Sequence, residues 1–293
     1  MRDLVIPLPK EYNHQLTISF LERSPRELLH RIKNEVVTKA MHVSNDDFVF
    51  SIHCKTDTLV IEFLNGQPDE IQKATIVQYV REWFDLDTDL KPFYALARKD
   101  PVLNELVKKY RGYRIIGQPD LYESLIWAVL GQQINLAFAY TLKQRFVEKF
   151  GETIDVDGDR FYFFPASAIV ARLTPEELLT LQFSRQKASY TIGIANAFEE
   201  RRISKEKLRN LSLAEAKEEL VKIKGIGNWT ANYALMKTFH YPDAFPLEDA
   251  GLHNAIKNQL HLKAKPKIER VKRIFKKYKG WEAYATLYLW KSL

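Results

Sequence analysis

The chain has 293 residues, of which 46% are hydrophobic and 12% aromatic, enough for packed cores and too much for a mainly disordered protein. Its longest apolar run, residues 125–130, falls far short of the ~18 residues a membrane span needs, and the start lacks the apolar stretch and cleavage site of a signal peptide, so an intracellular protein, cytoplasmic or nuclear, is expected. A single cysteine, Cys54, excludes an internal disulfide framework, a cysteine-ligated zinc site and a four-cysteine iron–sulfur cluster.

The net charge of +7 is unevenly placed. Residues 1–115 hold 17 basic and 17 acidic groups, so the whole excess lies in residues 116–293. That asymmetry suits a polyanionic partner, although surface charge kept for solubility explains it equally well.

In chain order, residues 1–115 suggest a mixed α+β domain. Gln15 to Leu21 has the composition of a strand, and Ser24-Pro25 looks like a helix start with Ser24 as cap. Phe48 to Cys54 and Thr58 to Leu64 are β-rich runs separated by a short turn. A helix is expected from about Asp69 to Phe84, burying Ile71, Ile76, Val80 and Phe84. Together these predict a small antiparallel sheet covered by helices.

After Gly112 the strand signals almost stop, and residues 116–293 suggest one compact all-helical domain. Helical spacing runs over 122–139, 139–150, 175–181, 187–201, 212–224, 228–239, 252–260, 265–278 and 281–290, with Gly or Pro in the turns between.

The segment Gly225-Ile226-Gly227 is the most informative. It joins an amphipathic helix ending near Lys224 to another that Asn228 could cap. Glycines admit a close ligand, and the first N–H groups of a helix have no partner within it, so such a turn can grip a phosphate without side-chain charge. Lys222 and Lys224 stand beside it. Alone, the pattern fits a plain helix–helix turn equally well.

The residues after the turn make the signal specific. The hairpin, then Trp229-Thr-Ala-Asn-Tyr233, then Asp243-Ala-Phe-Pro-Leu-Glu-Asp249 resembles the helix-hairpin-helix DNA glycosylase superfamily, and within it the AlkA-type 3-methyladenine DNA glycosylases. The segments Tyr122 to Ile134, Arg185 to Ala188 and Tyr284 to Trp290 are similar to that family in the same order. The resemblance implies a helix-hairpin-helix glycosylase domain over 116–293, preceded by an α+β domain over 1–115. It also implies a monomer acting on duplex DNA, with a hydrolytic activity that removes alkylated purines.

Asp249 matches the superfamily's catalytic aspartate. Losing a base from deoxyribose passes through an oxocarbenium-like state, which a fixed carboxylate stabilises while orienting water. Asp249 also suits a helix N-cap, and both roles can hold together. Glu248, one residue earlier, is the rival carboxylate. Members that also cut the strand carry a lysine where this chain has Trp229, which cannot form a Schiff base. A monofunctional hydrolase is therefore expected.

Trp229, Tyr233 and Trp290 match positions that line the family's base pocket, and Phe20 matches another. Electron-rich ring faces attract a cationic alkylated purine and stack a flipped base. Ordinary core packing is the plainer account of the same residues. DNA contacts are expected from Lys224, Gly225, Ile226, Gly227, Asn228 and Thr230, and from Gln133, which stands where the best-known members carry an apolar wedge.

The tract 263–279 holds nine basic residues and one acidic, either a phosphate-attracting face or a solvated one. The histidines show no metal-ligand spacing. No cofactor is expected, although backbone carbonyls at such hairpins can hold a monovalent cation. The alternatives are a glycosylase for oxidised or deaminated bases, which shares hairpin and aspartate, and a catalytically silent DNA-binding module.

Overall fold

The computed structural model describes residues 3–293. It opens with strand β1 (Leu4–Pro7), helix α1 (His14–Leu21) and strands β2 (Arg31–Lys33), β3 (Val36–Val43), β4 (Asp46–Lys55) and β5 (Thr58–Phe63). The strands form one antiparallel sheet in the order β1-β5-β4-β3-β2. Alternation along β4 sets its two faces: Phe48, Phe50 and Ile52 join a core with Ile76, Val80, Trp83 and Phe84, while Val49 faces the other way. Each such fully buried side chain contributes roughly 1.5–3 kcal/mol.

Three local expectations fail here for physical reasons. Residues 15–21 form helix α1: Asn13 caps it by accepting from the Leu16 N–H at 3.1 Å, and Thr17, Ile18 and Leu21 bury one helical face. No helix follows Ser24. The Ser24 Oγ accepts from the Arg26 N–H, and Glu27 Oε1 accepts from the Leu28 and Leu29 N–H groups at 3.0 and 2.9 Å, so side chains fold the segment into turns. Helix α2 (Glu70–Trp83) is present, with Asp69 and Gln72 forming a capping box, but Ile71 is 76% exposed. The buried stripe through Ile76 and Val80 continues back to Gln72, one position off.

Helices α3 (Lys91–Ala97) and α4 (Pro101–Lys109) lead to α5 (Leu121–Gly131) and α6 (Leu136–Phe150). The helix expected over 122–139 breaks at 132–135, where Gln133 adopts φ +58° and Asn135 caps α6. Strands β6 (Thr153–Val156) and β7 (Asp159–Tyr162) then form a hairpin, which corrects the all-helical expectation for this half. The turn Asp157-Gly158, both at positive φ, is a strong hairpin signal flanked by alternating residues. Phe161 and Phe163 from this hairpin region cover Ala40 and Val49 on the sheet's far face.

The remaining elements are α7 (Ser167–Val170), α8 (Pro175–Leu179), α9 (Arg185–Glu199), α10 (Lys205–Arg209), α11 (Leu213–Val221), α12 (Asn228–Phe239), α13 (Ala250–Gln259), α14 (Ile268–Phe275) and α15 (Glu282–Lys291), with a 3₁₀ turn at Lys276–Tyr278. One core joins Phe93, Leu103 and Leu106 to Met236, Leu252, Phe275 and Tyr288. Helices α3 and α4 therefore pack with the C-terminal helices, although they lie on the N-terminal side of the expected division at 115/116. A second core unites α5, α6, α9, α11 and α12. Among the described residues, no helix is long and apolar enough to cross a membrane.

Candidate active site and nucleic-acid interface

The hairpin between α11 and α12 is tight because its first glycine has no alternative. Gly225 lies at φ +97°, and a Cβ built there would stand 2.2 Å from the Tyr190 ring. Gly227 has an ordinary φ of −89° and nothing within 4 Å of the corresponding point, so its outer side is open space. Ile226, 4% exposed, pins the turn into the core.

Gly227, not Asn228, is the N-cap of α12, and no side chain caps that end. The Asn228 amide instead donates to both oxygens of Glu248, at 2.8 and 3.0 Å. The positive end of α12 is thus left without a side-chain acceptor, the condition for binding an anion. Lys224 is exposed beside it, while Lys222 pairs with Glu219. Thr230 is buried: its Oγ1 accepts from Gln132 Nε2 at 2.9 Å, and the same amide donates to the Gly225 carbonyl at 3.0 Å. Ile226 and Thr230 therefore brace the hairpin from inside, whereas Lys224, Gly227 and Asn228 face outward.

Gln132 ties the hairpin to the end of α5, where Gln133 is exposed and held at positive φ. That end is fixed by Lys187, whose Nζ donates to the carbonyls of Val129, Leu130 and Gln132 at 2.7, 2.9 and 2.7 Å. Burial lowers its pKa to about 8. Sequence reasoning assigned Lys187 no role, because the three carbonyls it meets lie more than fifty residues away.

Asp249 is half-buried at the N-terminus of α13, which it caps by accepting from the Leu252 N–H at 2.6 Å. Two indoles also donate to it: Trp290 Nε1 to Oδ1 at 2.8 Å and Trp229 Nε1 to Oδ2 at 3.0 Å. The Asn228–Glu248 and Trp229–Asp249 pairs set the start of α12 directly against the start of α13. The hairpin and the carboxylate consequently share one side of the molecule.

Aromatic rings line the space next to this carboxylate. Trp229 stacks on Tyr233 with centroids 5.4 Å apart, and Tyr233 lies 6.3 Å from Trp290. The Tyr233 hydroxyl accepts from Trp127 Nε1 at 3.0 Å, and Trp127 in turn packs on Tyr140 at 4.8 Å. Phe20 reaches the cluster from α1, whose Ser19 accepts from Lys291 beside Trp290. Arg23 completes the ring: its guanidinium lies 4.0 Å from the Phe20 centroid, 5.4 Å from Tyr140 and 6.0 Å from Trp127, and its Nε donates to the Tyr140 hydroxyl. Burial raises the pKa of Tyr233, and the nearby Arg23 charge partly offsets it. The sequence singled out Trp229, Tyr233, Trp290 and Phe20 but not Trp127, Tyr140 or Arg23.

Within 263–279, Val271, Phe275 and Tyr278 pack inward. Lys272 pairs with Glu269 and Lys277 with Asp100, leaving a largely cationic outer face. His253 is bonded to the Leu247 and Pro266 carbonyls, a structural role.

Comparison with known proteins matches this arrangement to two families. Residues 126–280 match the model described as HhH-GPD superfamily base excision DNA repair protein, and residues 28–125 the 8-oxoguanine DNA glycosylase N-terminal domain. The chain is 40% identical over 99% of its length to a DNA-3-methyladenine glycosylase of Bacillus subtilis, covering 97% of that protein. Its fold matches the 3-methyladenine DNA-glycosylase from Archaeoglobus fulgidus with a TM-score of 0.84 at 23% identity, over 98% of this chain and 97% of the other. The Schizosaccharomyces pombe 3-methyladenine DNA glycosylase in complex with abasic DNA matches at TM-score 0.58 and 29% identity, over 67% of this chain and 93% of that one.

Proposed function

Because the chain belongs to the HhH-GPD superfamily of base excision DNA repair proteins, and is a DNA-binding glycosylase that hydrolyses N-glycosyl bonds, we propose that it is monofunctional, flips alkylated purines out of duplex DNA and releases them. The observation that carries this reading is the carboxylate of Asp249, held by the indoles of Trp229 and Trp290 beside stacked rings and next to the open glycine hairpin.

Each part has a physical task. Outward N–H groups at Gly227 and the start of α12, with Lys224, take the phosphate chain beside the lesion. Gln133, exposed on the neighbouring loop, enters the gap left by the flipped base and bonds its orphaned partner. Trp229, Tyr233, Trp290 and Phe20 receive the base, and their ring faces favour a delocalised cation such as 3-methyladenine or 7-methylguanine. Asp249 then stabilises positive charge growing on the sugar and orients water, while fixed indole dipoles keep it in place. Water is the only co-reactant. The Gly225 carbonyl, already bonded to Gln132, retains a lone pair for a monovalent cation.

Trp229 stands where a strand-cutting relative needs its lysine, which supports hydrolysis without a lyase step. A monomer suffices, since one duplex meets one site. The match of residues 28–125 to the 8-oxoguanine type of N-terminal domain favours a second reading, a glycosylase for oxidised bases.

The test is Asp249→Asn. Release of 3-methyladenine from methylated DNA is expected to vanish, while binding to an abasic-site analogue largely survives. Excision by the variant at near wild-type rate would refute the catalytic assignment. Parallel assays on methylated and 8-oxoguanine duplexes separate the two substrate readings.

A further inference from the structure

We propose that Arg23 sets the charge preference of the base pocket, favouring neutral bases that carry a ring carbonyl over positively charged ones. The inference rests on the assignment of the Trp229–Tyr233–Trp290 cluster as the base pocket.

Arg23 is a poor candidate for a purely structural role. Among the described residues it forms no ion pair, and its one side-chain hydrogen bond uses Nε, on Tyr140. The terminal N–H groups, up to four donors, therefore have no protein acceptor. The side chain is solvent-exposed, yet its guanidinium stands among Phe20, Tyr140 and Trp127. Water-accessible donors ringed by aromatic faces mark a group that projects into a binding space.

A guanidinium stays charged throughout the accessible pH range. Lys237, 4.7 Å from the Phe20 centroid, is a different case: burial and the Arg23 charge drive its amine towards the neutral form, and it is bonded to the Ile116 carbonyl. Arg23 is thus the fixed charge of this space.

That charge acts oppositely on two kinds of leaving base. When the C1′–N bond breaks, its electron pair goes to the base, water oxygen bonds to C1′, and the water gives up a proton to the base or solvent. A cationic base leaves neutral and gains nothing from a second cation, which repels it before cleavage. A neutral base leaves as an anion whose charge spreads onto its carbonyl oxygen, where a charged N–H donor stabilises it.

Hypoxanthine and 7-methylguanine in otherwise identical duplexes are the probes, with single-turnover excision measured for wild type, Arg23→Gln and Arg23→Lys. Arg23→Gln is expected to change the ratio of hypoxanthine to 7-methylguanine excision at least about tenfold in favour of 7-methylguanine, and Arg23→Lys to restore part of it. A parallel fall for both bases, or an unchanged ratio, overturns the proposal. Binding of free hypoxanthine, read by tryptophan fluorescence, separates the two assignments. It should weaken about tenfold in Arg23→Gln. If wild type excises neither base while this binding still depends on Arg23, the glycosylase assignment falls and the pocket inference stands. Hypoxanthine that fails to bind wild type, or binds Arg23→Gln equally well, sinks the inference alone.

Discussion

Gly225 and Gly227 lie in one turn but answer to different demands. Gly225→Ala drives a Cβ into the Tyr190 ring at a strained φ, so a loss of at least ~1–3 kcal/mol of stability is expected. Gly227→Ala meets no protein atom and keeps an allowed backbone, so its thermal unfolding should shift by less than ~1 kcal/mol. Yet the added methyl stands where the phosphate chain would approach. Fluorescence anisotropy with an abasic duplex should show several-fold weaker binding for Gly227→Ala, and equal affinity would remove this glycine from the interface. Both glycines, Asp249 and Trp229 are visible in the sequence because local spacing fixes their chemistry. Arg23 and Tyr140 are not: 117 positions separate them, and only the packing of α6 against the segment after α1 makes them neighbours.

At the scale of elements, α5 ends in a way no local signal announces. A helix normally closes on a glycine or its own last turn, whereas this one ends on the ammonium of Lys187 from α9. Lys187→Met deletes three charge-assisted bonds and leaves carbonyls unpaired, at a cost of about 2–4 kcal/mol. It should also lower affinity for abasic duplex, because Gln132 and Gln133 lose their anchor. Chemical denaturation and a binding titration read the two effects, and a variant unchanged in both would show that the loop holds itself. Helix α2 and most C-terminal helices are legible from caps and periodicity. Helix α1 is not, since its β-branched composition mimics a strand while one capping residue, Asn13, decides the outcome. The β6–β7 hairpin is legible in Asp157-Gly158 but masked by the helical runs around it.

Across the whole molecule, a buried ion cluster fastens the segment before β2 to α6. Lys143 meets Glu27 at 3.0 Å and Glu123 at 3.3 Å, all three nearly sealed from solvent. Burial pushes the Glu27 carboxyl up, but Lys143 and His30 more than reverse this and bring it down to about 2. A carboxyl held below its unfolded value stabilises the fold above about pH 4.5, and that contribution is lost as pH falls towards 2. Glu27→Gln should therefore cost about 3 kcal/mol at pH 7, with the deficit narrowing between pH 4.5 and 2. Urea melts at pH 7 and pH 3 measure it, and an equal deficit at both would deny the linkage. The excursion of the chain after α6 adds a mechanical tie. Having left the sheet at β5, the backbone comes back ninety residues later to roof its far side with two phenylalanines. Neither half can be lifted away without stripping that roof, so the fold behaves less like two beads on a string than like a clasp closed on itself.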